Sequence, residues 1–140
     1  MSHTLFQPVT GRADEIIDFI MYTKEVMAYP SVGYAVRLAC EEVVVNIISY
    51  AYPAGANGYI ELDVTNTDKE LRIEICDGGR PFNPIEKQAP DLTQCLEERA
   101  IGGLGIFLIL QMMDRVTYRY EEGKNKLVLT KNISGGKRHG

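Results

Sequence analysis

Histidine is almost missing from this chain: of 140 residues only His3 and His139 carry an imidazole, and both lie at the extreme ends. A Ser/His/Asp or Cys/His nucleophilic centre would have to be built from frayed termini, which excludes that chemistry. Cysteine is scarce too. Cys40, Cys76 and Cys95 are odd in number and widely spaced, a pattern that fits neither a disulfide framework nor a paired-cysteine metal site. All three are expected to be reduced, with Cys40 and Cys76 as small core residues. Long apolar runs are lacking: Val43–Val45 and Ile106–Leu110 fall far short of the roughly 18 to 20 residues of a membrane helix. Met1-Ser2-His3-Thr4 has none of the basic region, apolar run and small-residue cleavage site of a signal peptide, so the cytoplasm is the expected location. Basic charge is not in excess either. Fifteen Lys and Arg stand against nineteen Asp and Glu, for a net charge of -4, and without a long basic run nucleic acid is not an expected partner.

What remains is globular. A hydrophobic fraction of 45% and a charged fraction of 24% are ordinary for a folded domain, and this length suits one domain with one core. Ile16, Ile17, Phe19, Ile20, Val26 and Met27 recur at helical spacing behind Asp14 and Glu15, which predicts a helix from Arg12 to Ala28 that Pro30 ends. Val36, Cys40, Val43, Val44, Ile47, Ile48 and Ala51 form one stripe, predicting a second helix over 32–52 stopped by Pro53 and Gly55. Ile60, Leu62 and Val64, then Leu71, Ile73 and Ile75, alternate with charged residues across Asn66-Thr67-Asp68-Lys69 and read as a hairpin.

From Gly78 to Gly103 the periodicity is lost, apart from a short helix expected over Asp91–Arg99. A loop of this length in a small domain is usually functional or disordered. A helix from Gly105 to Met113, a strand over Val116–Tyr120, a turn at Glu121–Asn125 and a strand over Lys126–Lys131 follow, before a frayed tail at 134–140. No repeat or linker interrupts this order. Strand and helix pattern together predict an α/β two-layer sandwich, helices on one face of a mixed sheet.

Three local features could carry chemistry, and each has a plainer reading. Glu42 and Asn46 are one turn apart on one helix face, where they could hold a base and an oxygen ligand for a hard cation. A helix carboxylate is usually just part of a solvated face, although asparagine is a poor mid-helix residue. Asp77-Gly78-Gly79-Arg80-Pro81-Phe82 closes a strand. The aspartate could accept from an exocyclic amine while Gly79 admits a flat ring, or the segment could be a tight turn only. Gly102-Gly103-Leu104-Gly105 precedes an apolar helix and could offer N–H groups to phosphates, or serve as a hinge. Dinucleotide and GxxxxGK[ST] fingerprints are absent, as are the HRD and DFG signatures of large protein kinases.

Taken jointly these features are far more specific. Glu41-Glu42-Val43-Val44-Val45-Asn46-Ile47-Ile48, then Asp77-Gly78-Gly79-Arg80-Pro81-Phe82, then Gly102-Gly103-Leu104-Gly105-Ile106-Phe107-Leu108 resemble, in order and spacing, the N, G1 and G2 boxes of the GHKL (histidine kinase-like) ATPase superfamily. Leu96–Gly105, Met113-Asp114-Arg115-Val116 and Gly123-Lys124-Asn125-Lys126-Leu127 are similar to the C-terminal half of its stand-alone anti-sigma factor serine/threonine kinases. The resemblance covers about residues 5 to 133 and implies a Bergerat-type sandwich that binds ATP and Mg2+. It implies Glu42 as general base, Asn46 as the Mg2+ holder, Asp77 on the adenine amine with Gly79 against the base, and Gly103, Leu104 and Gly105 at the phosphates. Residues 83–102 would form the lid, from which Arg99 could reach the terminal phosphate. Where many relatives carry Gly-Thr before the last strand this chain has Gly123-Lys124-Asn125, so Asn125 stands in for a hydroxyl donor.

The implied partners are a sigma factor and a STAS-type anti-sigma-factor antagonist, exchanged by partner switching and with a homodimer suggested. The antagonist would be the kinase substrate. The rival expectation is an ATP-binding anti-sigma or adaptor module with little or no kinase activity. A sensor histidine kinase half would need a dimerisation helix pair and acceptor histidine, for which these 140 residues have no segment.

Overall fold

The computed structural model describes residues 1–53, 56–83 and 111–133. The alternating segments assemble into one five-stranded sheet. Strand β1 (Ser2–Phe6) pairs with β2 (Ile60–Asn66), β2 with β3 (Glu70–Asp77), β3 with β5 (Lys124–Asn132), and β5 with β4 (Arg115–Glu121). All four pairings are antiparallel, where a mixed sheet was expected. Strand direction is a long-range property that alternation within one strand does not carry. The N-terminus is not frayed: His3 lies in register with Asp63, and its Nε2 meets Glu61 Oε2 at 2.7 Å.

One sheet face presents Ile60, Leu62, Val64, Leu71, Ile73, Ile75, Leu127 and Leu129, all buried, to the helices. Helix α1 (Ala13–Met21) answers with Ile16, Ile17 and Ile20, and α3 (Gly33–Asn46) with Val36, Ala39, Cys40, Val43 and Val44. This burial is the main stabilising term. The single helix expected over 12–28 is two helices, because Thr23 turns extended and caps α2 (Lys24–Met27), accepting from Val26 N at 3.3 Å while donating to Ile20 O at 2.8 Å. Pro30 opens a 3-10 turn, Pro30–Val32, instead of ending the helix abruptly.

The second predicted helix also changes form. It is α-helical only to Asn46 and continues as a π turn, Ile47–Ala51, with Ile47 and Ala51 still buried along the expected stripe. Asn46 Nδ2 donates to Glu42 O at 2.6 Å, competing for the carbonyl its own backbone N–H would use. The ladder widens just past it, as π turns do at functional sites.

The last hairpin is tighter than predicted. Glu122 and Gly123 have φ of 57° and 76°, the pair of positive values a two-residue type I′ turn requires. Asn125 is therefore inside β5, facing Asp77 in register, and not in the turn. All but Asn83 of the expected lid over 83–102, the short helix at Asp91–Arg99, the glycines at 102–105, most of the Gly105–Met113 helix and the 134–140 tail lie outside the described residues. No described helix is long and apolar enough to cross a membrane.

Candidate functional site

The ends of α3 and β3 converge on a recess floored by Val43, Ile47, Ile75 and Leu127, walled by the rings of Phe82 and Tyr118, with Asn46, Asp77 and Asn125 as its polar lining. The three polar residues come from three elements. They are nearly sealed from water, at 3%, 2% and 4% exposure, and a buried polar group must find partners or cost stability.

Asp77, the last residue of β3, finds them. Its Oδ1 accepts from Gly79 N at 2.9 Å and from Asn125 Nδ2 at 2.9 Å. Burial pushes its carboxyl above the ordinary range, and these two donors pull against that. Gly79 is the residue that sequence logic demanded, for a reason found elsewhere in the chain: a Cβ there would sit 2.3 Å from Ala51 O.

That contact belongs to a wider seam. Arg80 N donates to Ala51 O and Arg80 Nε to Tyr50 O, both at 2.9 Å, while Tyr52 Oη accepts from Gly78 N at 2.8 Å. The same hydroxyl donates to Tyr59 O at 2.7 Å and accepts from Tyr59 N at 3.1 Å. Tyr50 and Phe82 rings lie 6.0 Å apart. The π turn thus supplies carbonyls, and Tyr52 just after it a phenol, that stitch the loop after β3 to the end of α3.

Glu42 is half-buried one turn before Asn46 and does not line the recess. Burial first, and the charge of Glu41 second, raise its proton affinity. Asn46 has spent Nδ2 on Glu42 O, leaving Oδ1, the atom of that amide able to ligate a cation. One amide oxygen suits Mg2+, which keeps most of its shell for water and phosphate oxygens. Among the described residues no group of three or more His, Cys, Asp or Glu could hold a metal by itself.

The structure therefore brings Asn46, Asp77, Gly79 and Asn125 together and sets Glu42 beside them. Arg99, Gly103, Leu104 and Gly105 lie outside the described residues. Sequence reasoning missed Tyr118, Tyr52 and the seam through Arg80. Tyr118 had a signal, since it shares a strand face with Val116 and pairs with Leu127. Tyr52 had none, because its three contacts depend on residues brought close only by folding.

Residues 15–131 match the model of the histidine kinase-like ATPase domain. The chain is 30% identical over 97 residues to the serine/threonine-protein kinase BtrW of Bordetella bronchiseptica, covering 69% of this chain and 68% of that protein. It is 29% identical over 102 residues to the serine-protein kinase RsbW of Listeria monocytogenes, covering 70% and 64%. With the anti-sigma F factor of Clostridium acetobutylicum it shares 28% over 96 residues, 69% and 66%. The chain thus spans about two thirds of these relatives. In fold it is similar to the histidine kinase domain of the Erythrobacter litoralis EL346 blue-light-activated histidine kinase, with a TM-score of 0.57, 16% identity and coverage of 93% of this chain and 63% of that one.

Proposed function

We propose a phosphoryl-transfer function for this chain, which belongs to the histidine kinase-like ATPase domain family. In this reading it binds Mg-ATP beside Asp77 and phosphorylates a serine or threonine of a STAS-type antagonist. A sigma factor is held in the alternative complex, and the two partners exchange in the cytoplasm. The observation that carries the reading is the buried Asp77 carboxylate, held by a glycine N–H in the lining of a recess that it shares with Asn46. An anion there accepts from the 6-amino group of adenine, while the apolar floor and two rings take the base.

Asn46 Oδ1 would hold Mg2+, which when bound screens the charge of the β- and γ-phosphates. Glu42 receives the proton of the attacking hydroxyl as its oxygen bonds to the γ-phosphorus and the bond to the β,γ-bridging oxygen breaks, releasing ADP. Its raised proton affinity is a shift in the direction a general base needs. Gly103, Leu104, Gly105 and Arg99 are assigned to the phosphates on resemblance alone.

Glu42→Gln tests the transfer step. Phosphorylation of a cognate antagonist, followed with radiolabelled ATP, should fall roughly 100- to 10,000-fold with nucleotide affinity little changed. Asn46→Ala should instead weaken Mg2+-dependent nucleotide binding. No phosphoserine or phosphothreonine on any cognate antagonist, with sigma-factor binding intact, would replace the kinase by an ATP-binding anti-sigma module.

A further inference from the structure

We propose that Asn125 is a positioning residue and not a nucleotide ligand, its carboxamide holding the Asp77 carboxylate ready for a purine 6-amino group and latching the backbone of residues 79–82 behind it. An asparagine side chain has two N–H donors and an oxygen with two lone pairs. In this chain all four are spent inside the protein. Nδ2 donates to Asp77 Oδ1 and to Arg80 O, each at 2.9 Å, with Gly79 O at a longer 3.5 Å. Oδ1 accepts from Phe82 N at 3.0 Å and from the Tyr118 hydroxyl.

The orientation of the amide follows from these partners. Phe82 N–H can only donate and Arg80 O can only accept, so exchanging nitrogen and oxygen would break both bonds. Nothing in the group is left for a ligand. Among the described residues both donors to Asp77, by contrast, are on Oδ1, which leaves Oδ2 as its acceptor for an incoming amine. Asn125 thus reaches the base through Asp77, across the strand pair in which the two residues are in register. A hydroxyl at this position has one proton and could serve Asp77 or Arg80 O, but not both. A carboxylate would set charge against charge.

The inference rests on the nucleotide reading above, and the experiment separates the two. Calorimetry compares wild type, Asn125→Leu and Tyr118→Phe with ADP and with purine riboside 5′-diphosphate, which lacks only the 6-amino group. Asn125→Leu should lose about 10-fold or more in ADP affinity and less than about 2-fold for the analogue. Amide exchange in the ligand-free protein should become faster at Phe82. Asn125→Thr should recover much of the ADP affinity, through the one hydrogen bond a hydroxyl can give Asp77, yet leave Phe82 exchanging fast. Equal losses for both nucleotides, or none, would overturn the proposal, because a direct ligand or a merely structural residue does not single out the 6-amino group. Should Asn125→Leu fail to fold, Tyr118→Phe decides by the same comparison with a smaller loss. If wild type binds neither nucleotide, the nucleotide reading itself falls and the proposal with it.

Discussion

Replacing Gly79 by alanine adds one methyl group, and the structure sets where it goes. The new Cβ would lie 2.3 Å from Ala51 O, 2.7 Å from Ala51 C and 2.8 Å from Ala51 Cβ, about an ångström short of ordinary contact. None of these atoms is the end of a flexible side chain. The loop must therefore lift off the π turn, straining the Arg80 N–H bond to Ala51 O and the Gly79 N–H bond to Asp77 Oδ1. Overpacking costs about 1–3 kcal/mol and each weakened hydrogen bond about 1 kcal/mol more. A total of about 3–5 kcal/mol lowers Tm by roughly 10–15 °C in a domain of this size. Nucleotide affinity should fall at least about 10-fold, because Asp77 moves with the loop. Gly33→Ala is the control. Among the described residues its Cβ, at the start of α3, meets only Met21 Cε, at 3.8 Å, so the same methyl should be neutral or stabilising by about 0.5 kcal/mol. Thermal melts of both variants, with and without ADP, make the comparison. A Gly79→Ala protein that melts within about 2 °C of wild type would refute the claim that this contact is rigid.

Tyr52→Phe should leave the Gly78 and Tyr59 N–H groups without the phenol oxygen they share, costing about 1–3 kcal/mol in denaturant unfolding; an unchanged midpoint would remove the phenol from the seam. Asp77→Asn separates stability from binding. Burial raises the Asp77 carboxyl, so its contribution to stability is fully present below the unfolded value, about 3.9, and is lost as pH rises through the folded value. The ligand-free variant should therefore match wild type in acid and exceed it near neutral pH. ADP affinity should fall roughly 5- to 150-fold. Melts across pH beside calorimetry test this, and a variant less stable than wild type at neutral pH would contradict the sign.

Elements with a local cause were legible. The Val36-to-Ala51 stripe announced a helix, and the alternation from Ile60 to Ile75 announced a hairpin, because each pattern follows from one element facing one core. Asn46 and Asp77 were legible as a pair of boxes, and both line the recess. What escaped depends on residues distant in sequence. The π turn is bound by Arg80, thirty residues away from Tyr50, and the Asp77–Asn125 pair joins residues forty-eight apart. The break at Thr23 was local but invisible, since Tyr22 and Thr23 continue a plausible helical pattern until the threonine side chain caps the next turn.

The two-residue turn at Glu122-Gly123 makes the distance between two side chains in the chain a fixed quantity. Tyr118 reaches the recess from β4 and Asn125 from β5 because the turn between them holds the strands in one register. Because strand side chains alternate with a period of two, a one-residue insertion there would slip the pairing and turn Tyr118 out of the recess, with Thr117 or Arg119 in its place. The loop at residues 67–69 lies at the other end of the sheet's hairpins, remote from the recess, so a length change there leaves the lining intact. Descendants of this sequence should accordingly vary in length at 67–69 and keep the seven-residue interval between Tyr118 and Asn125.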